Sequence, residues 1–286
     1  MDPLLPQEMG SDFSLEHALQ FGTLPLIQMS PEPAEQPQAH VQLYLKEEIQ
    51  AEALVRNLPG FARFLPIAAL FHGQCIHVSS LSREAAIART TAEGYLRILE
   101  DTLLCVTIPP LESRLRVKER VHPKWYWFDN GVARAARGAS GVPTAEERGS
   151  LFEGLLAMLL RAMKDLRLLE YDSLSYWSPP GGSTEVDFVL QKGKQYVAIE
   201  SKVARDPDNE HMKGLRAIAE LPGLQRRMVV YPGLPRPKDP RWDRSIGLRF
   251  VRSLIARDLR AMSCVGAAKR RGSRVRSYRA NDSQAK

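Results

Sequence analysis

Four charged residues stand at alternating positions in EVDFVLQKGKQYVAIESK (185–202): Glu185 and Asp187 before a Lys-Gly pair, Glu200 and Lys202 after it. Alternate residues of a strand share a face, so a hairpin here places all four on one side. With Lys192-Gly193 as a two-residue loop, Val186 faces Ile199 and Phe188 faces Val197 on an apolar side. Asp187 then sits opposite Ala198, and Glu200 is one diagonal step away, about 7–8 Å at the backbone. Two carboxylates so placed can share a cation, and like charges held together need one. A divalent metal meets that need, acidifies bound water and offsets charge on a phosphate. Carboxylate and water oxygens suit magnesium or manganese, and Lys202 adds a second positive charge. For the hairpin by itself, a solvated polar face is the alternative.

A further carboxylate comes from the apolar helix expected over 151–164. Around Glu153 on a helical net lie Gly149, Leu156, Ala157 and Leu160. A carboxylate among such neighbours is partly buried and requires a partner. If the helix packs beside the hairpin, Glu153 is a third acidic ligand.

The elements that must position these groups read as follows. A short helix over 14–22 precedes the Pro-rich stretch 30–38, and a longer helix over 41–58 ends near Pro59-Gly60. Helical segments 61–74, 79–87 and 89–104 follow, with Ala92, Tyr95, Leu96, Leu99 and Leu103 at helical spacing and Thr90 or Thr91 as the cap. Two helices joined by a tight turn after a third give helix-turn-helix syntax. In 114–121, Arg114, Arg116, Lys118 and Arg120 alternate along a strand with one basic face, and 124–129 is its partner, so the pair forms a wing. Arg89, Thr90, Thr91, Glu93 and Arg97 are expected on the outer side of the recognition helix, facing a DNA groove. Protein interaction is the other use of such a face. Residues 136–150 read as a loop-like boundary. Strands are expected at 166–171, 174–178, in the hairpin, at 227–233 and at 246–251, with helices over 208–221 and 253–259. The fold class is α/β (α+β overall), with a mixed sheet flanked by helices.

The chain has 286 residues and a formal net charge of +7. Seven basic residues and one acid lie between Lys269 and Lys286, so the excess is mostly a property of the tail. That tail lacks the apolar content to fold and could attract nucleic acid without sequence preference. Cys75, Cys105 and Cys264 match no zinc or redox spacing. No signal peptide or apolar run of membrane-spanning length is present, so a reducing cytosol is the expected compartment. There is no G-x-x-x-x-G-K-[ST] loop, hence no ATP phosphate cradle.

Glu153 in GSLFE, Asp187 in EVDFVL, and Glu200 with Lys202 in AIESK together resemble the PD-(D/E)xK nuclease core, which has the restriction-endonuclease-like fold. More closely, YLKEEIQAEALVRNL, FARFLPIAAL, TTAEGYLRILEDTLL, HPKWYWFDNGVARA and EVDFVL resemble the C-terminal part of bacterial AAA-family ATPases bearing domain of unknown function 4143. The likeness runs from about Ser11 to about Leu259. It implies a winged helix followed by a nuclease-like domain. Asp187 and Glu200 would be metal ligands, Glu153 an accessory ligand, and Lys202 the residue that steadies the attacking water or the phosphate. Val186 stands where the superfamily name has proline, and Ser201 where an apolar residue is usual. On this likeness residues 1–40 are an ATPase-lid remnant and Pro-rich linker, 41–138 the winged-helix domain, 139–260 the nuclease-like domain and 261–286 a basic tail. The expected activity is metal-dependent cleavage of DNA. The alternatives are a non-catalytic DNA-binding or regulatory module working with an ATPase in trans, or a truncated remnant.

Overall fold

The computed structural model describes residues 3–28, 55, 57–111, 122–178, 184–204, 212–233, 244–247 and 255. Most of the expected helices over 41–58 and 253–259, all of the basic strand with Arg114, Arg116, Lys118 and Arg120, and the tail 261–286 lie outside them.

Three short helices open the described chain: α1 (Pro6–Met9), α2 (Leu15–Phe21) and α3 (Pro25–Gln28). Then come α4 (Leu58–Leu70), β1 (Gln74–Cys75), α5 (Val78–Glu84), α6 (Arg89–Asp101), β2 (Cys105–Ile108) and β3 (Lys124–Trp127). Asn57 caps α4 through the Gly60 amide, and Pro59 sits in the first turn of this helix. The cap of α6 is Ala88, with no side-chain bond, and not Thr90 or Thr91. The three strands form an antiparallel sheet in the order β1-β3-β2. Among the described residues, the long partner of β3 is therefore Cys105–Ile108.

The second half carries α7 (Asn130–Ala136), α8 (Ala145–Asp165), β4 (Ser173–Trp177), β5 (Val186–Lys192), β6 (Gln195–Ser201), α9 (Lys213–Ala217), β7 (Leu224–Tyr231) and β8 (Arg244–Gly247). The mixed sheet runs β4-β5-β6-β7-β8, antiparallel across its first two junctions and parallel across the last two. The fold is α+β, as the sequence implies.

α8 starts six residues earlier than its apolar pattern. Thr144 and Glu147 form a reciprocal capping box, which converts part of the expected loop 136–150 into helix. The expected strand at 166–171 is instead the turn that ends α8. Arg167 takes a positive φ of 57° there, and Leu169 and Tyr171 are drawn into the core.

The hairpin register also differs from expectation. Phe188 pairs with Ile199 and Lys192 with Gln195, so the loop is Gly193-Lys194. Gly193 has φ 60°, and its amide donates to Asp172 Oδ2 at 2.6 Å. Glycine takes that φ without steric cost at the first loop position, and the loop lies one residue further on than expected. The shift in paired positions is two, so face assignments survive within the paired stretch, Phe188 to Lys192 against Gln195 to Ile199.

Both faces of the hairpin are covered, which removes the solvated-face alternative. Phe188, Leu190, Val197 and Ile199 pack with α8. Val189 and Ala198 pack with Met212, Leu215 and Ile218 around α9. Val186 joins that second side and not Phe188, because the register of β4 against β5 shifts between Ser175 and Trp177.

One core links the ends of the chain: Phe13, Ala18 and Leu19, Ile108 and Tyr126, α8 and the five-stranded sheet share it. Asn130 reinforces the junction by donating to the carbonyls of Ala18 and Leu151. Asp129 caps α7, accepting from Gly131 and Val132, and also from Thr23 at 2.7 Å. Two glycines allow close passage. A Cβ on Gly154 of α8 would lie 2.1 Å from His72 Nε2, and one on Gly214 of α9 would lie 1.7 Å from the Glu185 carbonyl oxygen.

Candidate metal centre

Glu153 projects from the middle of α8 toward β3. Residues i and i+2 of a strand share a face, and Lys124 and Tyr126 both use theirs to reach Glu153. Lys124 Nζ stands 2.6 Å from Glu153 Oε1, and the Tyr126 hydroxyl donates to the same oxygen. Glu185 and Asp187 share a side of the chain entering β5. Lys124 forms an ion pair with Glu185 and lies 3.8 Å from Asp187 Oδ1. One carboxylate oxygen from each of Glu153, Glu185 and Asp187 lies within 4.8 Å of the other two.

The other oxygen of Asp187, Oδ2, accepts both the amide and the hydroxyl of Ser201 at 2.7 Å. Lys202 Nζ lies 2.7 Å from Glu200 Oε1. Glu200 Oε2 is buried and has no hydrogen-bond partner. Lys124, Asp187 and Glu200 are only 3%, 5% and 4% exposed.

Electrostatics follow from this packing. Burial, then the Asp187 carboxylate, raises Glu153 to about 7 against the pull of Lys124 and Tyr126. Burial and then Asp187 likewise hold Glu200 well above the usual carboxylate range. Burial opposes the charge on Lys124, but Glu153, Asp187 and Glu185 outweigh it and hold the ammonium protonated well above its ordinary value. Lys202 is raised in the same way: Asp187 and Glu200 overcome its burial.

With all four carboxylates ionised, the two ammonium groups leave two formal negative charges in the site. One divalent cation balances them, and hard oxygen donors are what magnesium or manganese takes. The unpartnered Glu200 Oε2 is the kind of orphaned acceptor that such an ion satisfies. The residues present fit the group.

The sequence expectations meet here in part. Glu153, Asp187, Glu200 and Lys202 are brought together. Sequence reasoning missed Lys124, Tyr126 and Ser201, and it placed Glu185 on the face without giving it a role. A single lysine inside the aromatic strand KWYW was the available signal. On α6, Arg89 is exposed and paired with Glu93 at 2.9 Å, Arg97 is exposed, and Thr91 is half-buried. No helix among the described residues is long and apolar enough to cross a membrane.

Two mycobacterial proteins are similar to this chain: Uncharacterized protein Mb2031c of Mycobacterium bovis and Uncharacterized protein Rv2008c of Mycobacterium tuberculosis. Each is 28% identical over 167 residues, covering 57% of this chain and 36% of the relative. The match thus spans about a third of the length of these relatives. A crystal structure of protein VC1899 from Vibrio cholerae aligns over 79% of this chain and 55% of that one, with 14% identity and a TM-score of 0.24, too low to carry an argument. Residues 13–142 match the model of Domain of unknown function (DUF8612), and residues 148–248 match that of Domain of unknown function (DUF4143). The chain is therefore similar first to the one domain and then to the other, with the four carboxylates in the second and Lys124 in the first.

Proposed function

We propose that the protein binds DNA and carries a PD-(D/E)xK-type, divalent-metal-dependent phosphodiester hydrolase site. The observation that carries this reading is the close approach of Glu153 and Asp187, with the buried Glu200 paired to Lys202 and its Oε2 left without a partner. Asp187, Glu200 and Glu153 would hold magnesium or manganese. When bound, the ion supplies an acidified water and positive charge for the phosphate. Ser201 fixes Asp187 with two hydrogen bonds and leaves Oδ1 turned to the cluster. Lys202 holds one oxygen of Glu200 and would meet a phosphate, and Tyr126 orients Glu153.

DNA binding is supported by element order. The order α4-β1-α5-α6-β2-β3, with sheet order β1-β3-β2, supports the winged-helix reading. In this reading α6 offers Arg89, Thr91 and Arg97, and the segment with Arg114, Arg116, Lys118 and Arg120 adds phosphate contacts. DUF4143 is found in AAA-ATPase-associated proteins. That association supports an ATPase as a partner.

The test is plasmid cleavage in magnesium or manganese by wild type, Asp187→Asn and Glu200→Gln. Wild type should cut and both variants should lose the activity. Cutting unaffected by either substitution refutes the site.

A second reading is favoured by Lys124, whose ammonium already engages three carboxylates. It is a non-catalytic DNA-binding module. Salt-sensitive DNA binding with no cleavage in manganese would select it.

A further inference from the structure

We infer that Lys124 is a built-in cation of the carboxylate site, holding a position that a divalent metal ion takes once the ammonium is removed. This deepens the metal-site reading above and rests on it for the identity of the carboxylates.

A lysine normally keeps its head group in water. Lys124 is 3% exposed, and its ammonium lies among oxygens of Glu153, Glu185 and Asp187, with the Tyr176 ring 5.6 Å from Nζ. An ammonium group is a compact charge with three donors, and three carboxylates surround it. Their nearest oxygens lie within 4.8 Å of one another, close to the ~4–5 Å across which one ion with bonds of about 2.0–2.6 Å joins two oxygens.

The ammonium does not use the whole cluster. Glu200 contacts Lys202 through Oε1, while its buried Oε2 has no partner. Asp187 stands between the two halves, bonded to Ser201 on Oδ2 and facing Lys124 with Oδ1. Lys124 fills the position between Glu153, Glu185 and Asp187. The metal ion of the reading above would sit toward Glu200. Sites that use two metal ions clamp both oxygens of a displacement; in this inference the ammonium serves as one of the two cations. The cation comes from β3, in the segment similar to DUF8612, and the anions from the segment similar to DUF4143.

The experiment is calorimetric titration of the full chain with manganese chloride, wild type against Lys124→Met. Methionine keeps the length of the side chain and removes its charge. The variant should bind one more Mn2+ per chain than wild type. One ion in wild type and two in the variant support both this inference and the catalytic reading. None in wild type and one in the variant support the inference and remove the catalytic reading. Equal or lower stoichiometry in the variant overturns the inference: one and one leave the catalytic reading standing, whereas none and none remove it too. If Lys124→Met unfolds without metal, recovery of its melting transition in Mn2+ reads the same gain. Failure to fold with and without Mn2+ overturns the inference, because the ion then does not replace the ammonium.

Discussion

Alanine in place of Gly154 should destabilise the wild-type fold and stabilise it once His72 is absent. The added Cβ would sit 2.1 Å from His72 Nε2 and 2.5 Å from Cε1, far inside contact distance. The imidazole has little freedom to yield. It is 5% exposed, its Nδ1 accepts the Trp127 amide at 3.2 Å, and it meets the Tyr126 ring edge-on. Overpacking of this kind costs ~1–3 kcal/mol. Displacing the ring also strands a buried amide, at ~1–3 kcal/mol. Against this, alanine gains about 1 kcal/mol over glycine in a helix interior. The net loss is therefore roughly 1–5 kcal/mol. In a His72→Ala background the imidazole clash is gone and only the tight approach of Asn130 Oδ1 at 3.3 Å remains, so the same change should gain up to ~1 kcal/mol. Urea denaturation of the four proteins gives the coupling energy directly. Equal effects of Gly154→Ala in both backgrounds would refute the steric account.

Two further expectations concern the same frame. Gly214→Ala places a methyl 1.7 Å from the Glu185 carbonyl oxygen, a backbone atom at the entry to β5. It should cost ~1–3 kcal/mol and weaken manganese binding by shifting Glu185 and Asp187; an unchanged melting temperature would contradict it. Burial lowers His72 from 6.5 to about 4, so the unfolded chain binds its proton first. The stability contributed by the neutral ring is full above pH 6.5 and is lost as pH falls toward 4, a total of about 3 kcal/mol at ~1.4 kcal/mol per pH unit. Between pH 7 and pH 5 wild type should lose about 2 kcal/mol more than His72→Gln, and parallel pH profiles would exclude the effect.

Much of the candidate site was legible because strand alternation is robust. A two-position change in pairing left Asp187, Glu200 and Lys202 on one side. The loop itself was not legible: Lys192-Gly193 and Gly193-Lys194 are equally good dipeptides, and the φ of Gly193 with the bond to Asp172 decides between them. The start of α8 was written in Thr144 and Glu147 but masked by the neighbouring Gly and Ser residues. Lys124 was illegible for a different reason. Its partner Glu153 lies 29 residues away, on an element whose approach depends on Gly154 passing His72. Nothing local in a strand of tryptophans and a tyrosine announces that crossing.

The core shared by Phe13, Leu19, Tyr126, α8 and the five-stranded sheet sets the unit of inheritance. Two regions that sequence similarity separates near residues 142–148 have no seam of their own in the packed interior. A recombination joining this second region to an unrelated first one would deliver four carboxylates without their lysine, and an apolar face without its cover. The pair can evolve freely at its outer surfaces, but it must be exchanged as a whole.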